Sequence, residues 1–225
     1  DLLALMHGSE GLLGVIVEVT VKLLVQPEIA KVIMAAFKQV EQASHAVASI
    51  IAQGVIPAGM EMMDSLAIRA AEDFAKVGYP QDAAALLLCE VDGHAEEIDE
   101  QIRQLSGLLE KQGAYQIVSS KTEAQRQSLW QGRKSAFPAV GRIAPDYYCM
   151  DGTIPKRHLA FILNRINELS ESYGLAVANV FHAGDGNLHP LILYNANEPG
   201  ALEKTEAFGA DILKACVDVG GTITG

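Results

Sequence analysis

One stretch constrains this chain more than any other: Val180-Phe181-His182-Ala183-Gly184-Asp185-Gly186-Asn187-Leu188-His189-Pro190. Apolar, β-compatible residues flank it, Ala176 to Phe181 before and Leu191 to Tyr194 after. An Asp-Gly pair between two such runs is a strong hairpin signal, because a type I′ turn needs positive φ at both central positions. A hairpin forces at least one antiparallel pair, which argues against a wholly parallel, doubly wound sheet. With Asp185 and Gly186 as the turn, counting outward sets Gly184 opposite Asn187, Ala183 opposite Leu188 and His182 opposite His189. Opposed residues share a face, with Cβ atoms about 5 Å apart. Two imidazoles at that separation can hold one metal ion, each metal–nitrogen bond being about 2.1 Å. They can equally be two histidines that hydrogen-bond in place.

The rest of the chain alternates strands and helices. Leu12 to Val25 reads as a β-rich stretch closed by Pro27, and Val32 to Phe37 as a strand. Gln39 to Ala52 reads as a helix. Val55 to Met62 carries Pro57 and Gly59 and reads as an edge strand or extended segment. Asp64 is placed to cap a helix running to Val77, stopped by Gly78 and Pro80. Ala83 to Val91 is expected to be a buried strand. The helix that follows has Glu96, Glu97, Asp99 and Glu100 in its first half, where the dipole favours anions, and Ile98, Ile102, Leu105 and Leu109 along one face. A strand at 115–119, a helix from Thr122 to about Phe137, a short strand at 147–150, a helix beginning near Pro155 and a last helix from Pro199 to Val219 complete the reading. No Gly-x-Gly-x-x-Gly opens a helix and there is no Walker loop. An α+β architecture follows: an antiparallel sheet with helices packed on one face, and ferredoxin-like split β-α-β halves over residues 30 to 120.

Composition narrows the function. The chain has 225 residues, enough for a core, and a formal net charge of −11 with no basic stripe, which argues against nucleic acid and against an anionic membrane surface as partners. The longest strongly apolar run, Leu12 to Val19, is short and interrupted by Glu18, so the expectation is not transmembrane. Cys89, Cys149 and Cys216 are far apart with no Cys-x-x-Cys, which reads as reduced, mostly buried thiols of a cytoplasmic protein. Both ends look cut: Asp1 enters a glycine-containing strand region, and Gly220 to Gly225 reads as a turn and the start of a strand.

Beyond His182 and His189, a tight metal site needs a third ligand and usually a fourth. Glu90, Asp92 and Asp151 lie at strand ends and reach the pair only if the fold brings them there. Asp185 is expected to point away from it. Arg133, in Leu129-Trp130-Gln131-Gly132-Arg133, can clamp a small carboxylate with two parallel N–H bonds. It can also be a helix-surface arginine paired with a glutamate. Trp130 is most simply core.

These residues carry a resemblance. His182-Ala183-Gly184-Asp185-Gly186-Asn187-Leu188-His189 resembles the His-x-Gly-Asp-Gly-Asn-x-His signature of FAD-linked oxidases, the group that contains glycolate oxidase, D-lactate dehydrogenase and D-2-hydroxyglutarate dehydrogenase. Gly8-Ser9-Glu10-Gly11-Leu12-Leu13-Gly14 is similar to the segment that closes the family's FAD-binding domain. Leu129 to Arg133 resembles its Leu-Trp-x-x-Arg, and Ala144 to Pro155 looks most like the glycolate oxidase branch.

The resemblance implies a division at residue 26. Residues 1–26 would be the tail of an FAD-binding domain, with Gly8, Ser9, Glu10 and Gly11 touching the cofactor. Residues 27–225 would be the substrate-side domain, truncated at its C-terminus. It implies a small 2-hydroxy acid held by Arg133, and a divalent metal such as zinc on His182 and His189 that lowers the pKa of the hydroxyl. The hydride would go to FAD. The partners implied are the missing FAD domain and other oxidase subunits, with a peripheral inner-membrane location through those subunits. In the family, a segment like Thr222 to Gly225 leads into Glu-His-Gly, which supplies a third metal ligand and a catalytic histidine. The chain stops before both, so the fragment is expected to be inactive. Cys149 stands where relatives acting on longer diacids carry lysine, which favours glycolate or D-lactate. The competing reading is a non-catalytic α+β module that binds a metal or a partner.

Overall fold

The computed structural model describes residues 1–224. The first half runs α1 (Leu2–Met6), β1 (Ile29–Phe37), α2 (Val40–Ala52), β2 (Gly59–Asp64), α3 (Ser65–Ala75), β3 (Ala85–Gly93), α4 (Ala95–Lys111) and β4 (Gln116–Ser119). The second half runs α5 (Glu123–Lys134), α6 (Ala136–Val140), β5 (Asp146–Cys149), β6 (Gly152–Thr153), a 3-10 turn at Lys156–His158 and α7 (Leu159–Tyr173). It ends with β7 (Val177–His182), β8 (Asn187–Leu188), β9 (Pro190–Tyr194), α8 (Ala201–Asp218) and β10 (Thr222–Ile223).

The strands form one sheet in the order β10-β6-β8-β7-β2-β3-β1-β4, with β9 pairing both β7 and β5. Every pairing is antiparallel. Gly59 to Asp64 is therefore not an edge: β2 lies between β3 and β7. Pro57 is compatible with this because it precedes the strand and needs no ladder hydrogen bond.

The expected placement of helices on one face is corrected by the core. Val32 to Phe37 are all buried, and successive residues point to opposite sides. Ile33, Ala35 and Phe37 join α2, α4, α7 and α8 in one apolar cluster. Val32, Met34 and Ala36 join α3, α5 and α6 in another. Helices thus cover both faces. The continuous apolar runs of β1 and β3 require this, since a half-solvated sheet would alternate apolar and polar residues.

Local chemistry explains the element ends. Asp64 caps α3, its Oδ1 accepting from Ala67 N at 2.9 Å. Its Oδ2 accepts from Asn179 N at 2.8 Å and Asn179 Nδ2 at 2.9 Å, which ties the end of β2 to β7. Burial pushes this carboxyl up from its ordinary range, opposed by those N–H bonds. Lys76 ends α3 in the left-handed region, and the Glu72 carboxylate accepts from the N–H groups of residues 77, 78 and 79.

The expected β-rich stretch at 12–25 is not a strand here. Residues 12–28 contain no regular element, and Val17 and Leu24 are each 91% exposed. β propensity alone does not hold an extended segment that has no partner edge and no core to cover. No described helix is long and apolar enough to cross a membrane.

Candidate functional site

The site grows out of one row across the sheet. Met34, Leu88, Glu61, His182, Asn187 and Thr153 stand opposite one another on adjacent strands, so all six point to the same side. Met34 and Leu88 lie in the cluster shared with α3, α5 and α6. From Glu61 onward the row turns polar.

The hairpin that presents the histidines differs from the counted one. The loop has four residues, Ala183 to Gly186, and His182 pairs with Asn187. The His182 carbonyl accepts from Asp185 N at 3.1 Å and from Gly186 N at 3.0 Å, and only Gly186 has positive φ, at 77°. The expected type I′ turn would need positive φ at Asp185 as well. The loop is held from both sides: Gly184 N donates to the Met60 carbonyl, and Ile154 N donates to the Gly186 carbonyl. A Cβ on Gly186 would stand 2.3 Å from the Ile154 oxygen, so this position requires glycine twice over.

The register error is two residues, and that preserves the face. His189 sits diagonally from His182 on the same side of the sheet. The two rings meet edge to face, centroids 5.0 Å apart. His189 also packs edge-on against Phe137.

Each ring is fixed by a carboxylate. His182 Nδ1 is 2.7 Å from Glu61 Oε1, and His189 Nδ1 is 2.7 Å from Asp151 Oδ1. With Nδ1–H donating to a carboxylate, each neutral imidazole keeps a lone pair on Nε2, and neither Nε2 has a hydrogen-bond partner among the described residues. Carboxylate–histidine pairs of this kind orient metal ligands, and here they offer two Nε2 donors of the three or four that a tight cation site takes. Asp151, one of the three carboxylates that depended on the fold, is brought to the pair. Glu90 is held elsewhere, accepting from Trp130 Nε1 and Arg126, and Asp185 is exposed in the loop.

Arg133 is buried and not a surface residue. Its Nε and Nη2 stand 3.0 and 2.8 Å from Glu61 Oε2. Glu61 therefore bridges Arg133 and His182, one oxygen to each. The Arg133 and Glu61 side chains are 10% and 13% exposed, and His182 is 43% exposed. Arg133 Nη1 makes no hydrogen bond among the described residues, so the guanidinium retains N–H groups for an anionic ligand. Glu61 escaped sequence reasoning. Its only local signal is one acid between Met60 and Met62 in a strand, and the partners lie far away in sequence.

Cys89 and Cys216 are buried, in line with the expectation of mostly buried thiols, and Cys149 is exposed. It lies opposite Leu191, on the face that carries the histidines, and its Sγ is 3.1 Å from Asp151 Oδ1. Partial desolvation, then the neighbouring Asp151 carboxylate, push this thiol up to about 12.

Gly8, Ser9, Glu10 and Gly11 form a turn outside both apolar clusters. Gly8, Glu10 and Gly11 have positive φ, and a Cβ on either glycine would meet nothing within 4 Å. The residues described here enclose no cradle for a flavin at that turn. A cleft of about 370 Å³ reaches Glu61 and His182, lined also by Met60, Lys156, Gly184 and Asp185. The roomier cleft of about 460 Å³, around Lys31, Glu90 and Arg126, does not touch the histidines, and the chemistry favours the smaller one.

Known proteins resemble this chain. Residues 26–225 match the family model described as FAD linked oxidases, C-terminal domain. The chain is 58% identical over its whole length to the glycolate oxidase subunit GlcD of Escherichia coli strain K12, covering 45% of that protein. It is 27% identical to a mitochondrial D-lactate dehydrogenase (cytochrome) of Arabidopsis thaliana, covering 40% of it. The chain thus spans about half the length of the curated relatives it matches. A crystal structure of p-cresol methylhydroxylase with substrate bound has the same fold, with a TM-score of 0.65 over 88% of this chain and 46% of that one at 12% identity. By the family match over 26–225, the chain belongs to the FAD-linked oxidases and forms their C-terminal domain.

Proposed function

We propose that this chain is the substrate-side half of an FAD-dependent 2-hydroxy-acid dehydrogenase, acting on glycolate or D-lactate. The observation that carries the reading is the Arg133–Glu61–His182 relay beside the Asp151–His189 pair, on the open part of one sheet face. Arg133, through N–H groups not used by Glu61, would bind the substrate carboxylate. Glu61 holds the guanidinium and the His182 ring at fixed separation, and Asp151 fixes the His189 ring. His182 and His189 would hold a divalent cation by Nε2. That cation would polarise the substrate hydroxyl, and FAD would accept the hydride.

Several finer readings go with this. Residues 1–26 would belong to the FAD-binding domain, with Gly8, Ser9, Glu10 and Gly11 near the cofactor. The start of the family match at residue 26 and the exposed apolar side chains at 12–25 support this. The order β4-β1-β3-β2, with α2 and α4 on one face, supports a ferredoxin-like label for the first half. Further oxidase subunits, and through them a peripheral membrane location, come from the likeness to a glycolate oxidase subunit. The full-length protein should be yellow and should reduce an artificial electron acceptor with glycolate or D-lactate. A colourless protein, inert to both acids, would remove the proposal.

A further inference from the structure

Cys149 lies on the site's face and takes no part in the function proposed above. Its Sγ is 3.1 Å from Asp151 Oδ1, which is also 2.7 Å from His189 Nδ1. One donor atom from each of the three residues lies within 4.8 Å of the others. A cleft of about 280 Å³, bordered by Leu213 and Thr224, opens onto Cys149 and Asp151. Thiolate, imidazole and carboxylate are the donor set of a borderline-soft cation, and with Cys149 and Asp151 beside the cleft a fourth position is left for water. Metal–ligand bonds of about 2.0–2.3 Å place tetrahedral donors roughly 3.3–3.7 Å apart, so the cluster needs only a small adjustment.

We propose that Cys149, Asp151 and His189 form a site for a thiophilic divalent cation of the zinc or cadmium class, which competes with the use of His189 Nε2. Binding forms a metal–sulfur bond and releases the thiol proton to solvent. The cation takes the Nδ1 lone pair of the other imidazole tautomer, so the ring proton moves from Nδ1 to Nε2. His189 then presents an N–H where it had presented a lone pair, and an ion between His182 and His189 loses one ligand. Only this inhibition rests on the proposed function; the binding itself does not.

The test is a cadmium titration of the full-length protein, read by the near-ultraviolet thiolate-to-cadmium charge-transfer band. One saturable equivalent is expected, kept in Cys89→Ser and Cys216→Ser and lost in both Cys149→Ser and Cys149→Ala. Affinity should fall at least about tenfold in Asp151→Asn. A band that survives in both Cys149 variants, or an affinity unmoved by Asp151→Asn, overturns the site. Cadmium should also inhibit hydroxy-acid-dependent dye reduction by a larger fraction in the unsubstituted protein than in Cys149→Ser, and equal fractions would overturn the competition. A protein that shows the band but oxidises neither acid would sink the proposed function and leave the cation site standing.

Discussion

Glu61 shows what a single buried carboxylate does for this site. With its partner Arg133 it forms an ion pair that is nearly out of solvent, and such a pair is more sensitive to loss of one member than its net contribution implies. Glu61→Gln should lower unfolding stability by about 3 kcal/mol in urea, because it leaves a buried guanidinium without its counter-charge. Adding Arg133→Met to that variant should recover much of the loss. If Arg133→Met costs the same in both backgrounds, the two side chains are not coupled as described. At this scale the sequence was informative only where spacing carries geometry. Counting outward from Asp185-Gly186 makes His182 and His189 neighbours, and a two-residue slip keeps them so because a strand repeats every two residues. Glu61 and Asp151 reach the rings through pairings of β2 with β7 and through the turn after β5. No local pattern encodes those long-range registers.

Elements were mostly legible. The capped helix after Asp64, the acid-rich start of α4, and the run of α7 up to Gly174 follow from residue chemistry that acts within a few positions. The hairpin loop was less legible. Its four-residue form depends on Met60 and Ile154, which grip Gly184 and Gly186 from distant parts of the chain. Gly186→Ala should therefore cost more than the about 1–2 kcal/mol of a left-handed backbone, since the new Cβ also meets the Ile154 oxygen. Thermal unfolding measures this, and a melting temperature equal to that of the unsubstituted protein would contradict the loop geometry. Asp64→Ala should cost about 3 kcal/mol, removing a helix cap and leaving the buried Asn179 N–H groups without their acceptor. The apolar runs of β1 and β3 already implied cover on two faces. The second helical layer is what buries their other face.

On the scale of the whole molecule, helices cover both faces of the sheet, the histidine patch stays open, and residues 12–25 form an exposed apolar segment with no regular structure. Val15, Val17, Leu23 and Leu24 are each more than 80% exposed, a run of apolar side chains suited to an interaction surface. In the full-length protein, the backbone N–H groups of residues 12–25 should exchange slowly with deuterium. In the 225-residue chain the same groups should exchange within the dead time, and fast exchange in both would remove the assignment of 1–26 to a neighbouring domain. If the His182 side of the patch faces the reacting substrate, anaerobic mixing of the full-length protein with glycolate and D-lactate should show it in the flavin absorbance. Bleaching is expected with at least one acid in the unsubstituted protein. In His182→Ala the flavin should remain bound, as judged by the yellow colour retained on gel filtration, and should stay oxidised. Bleaching of His182→Ala at the unsubstituted rate would contradict the account.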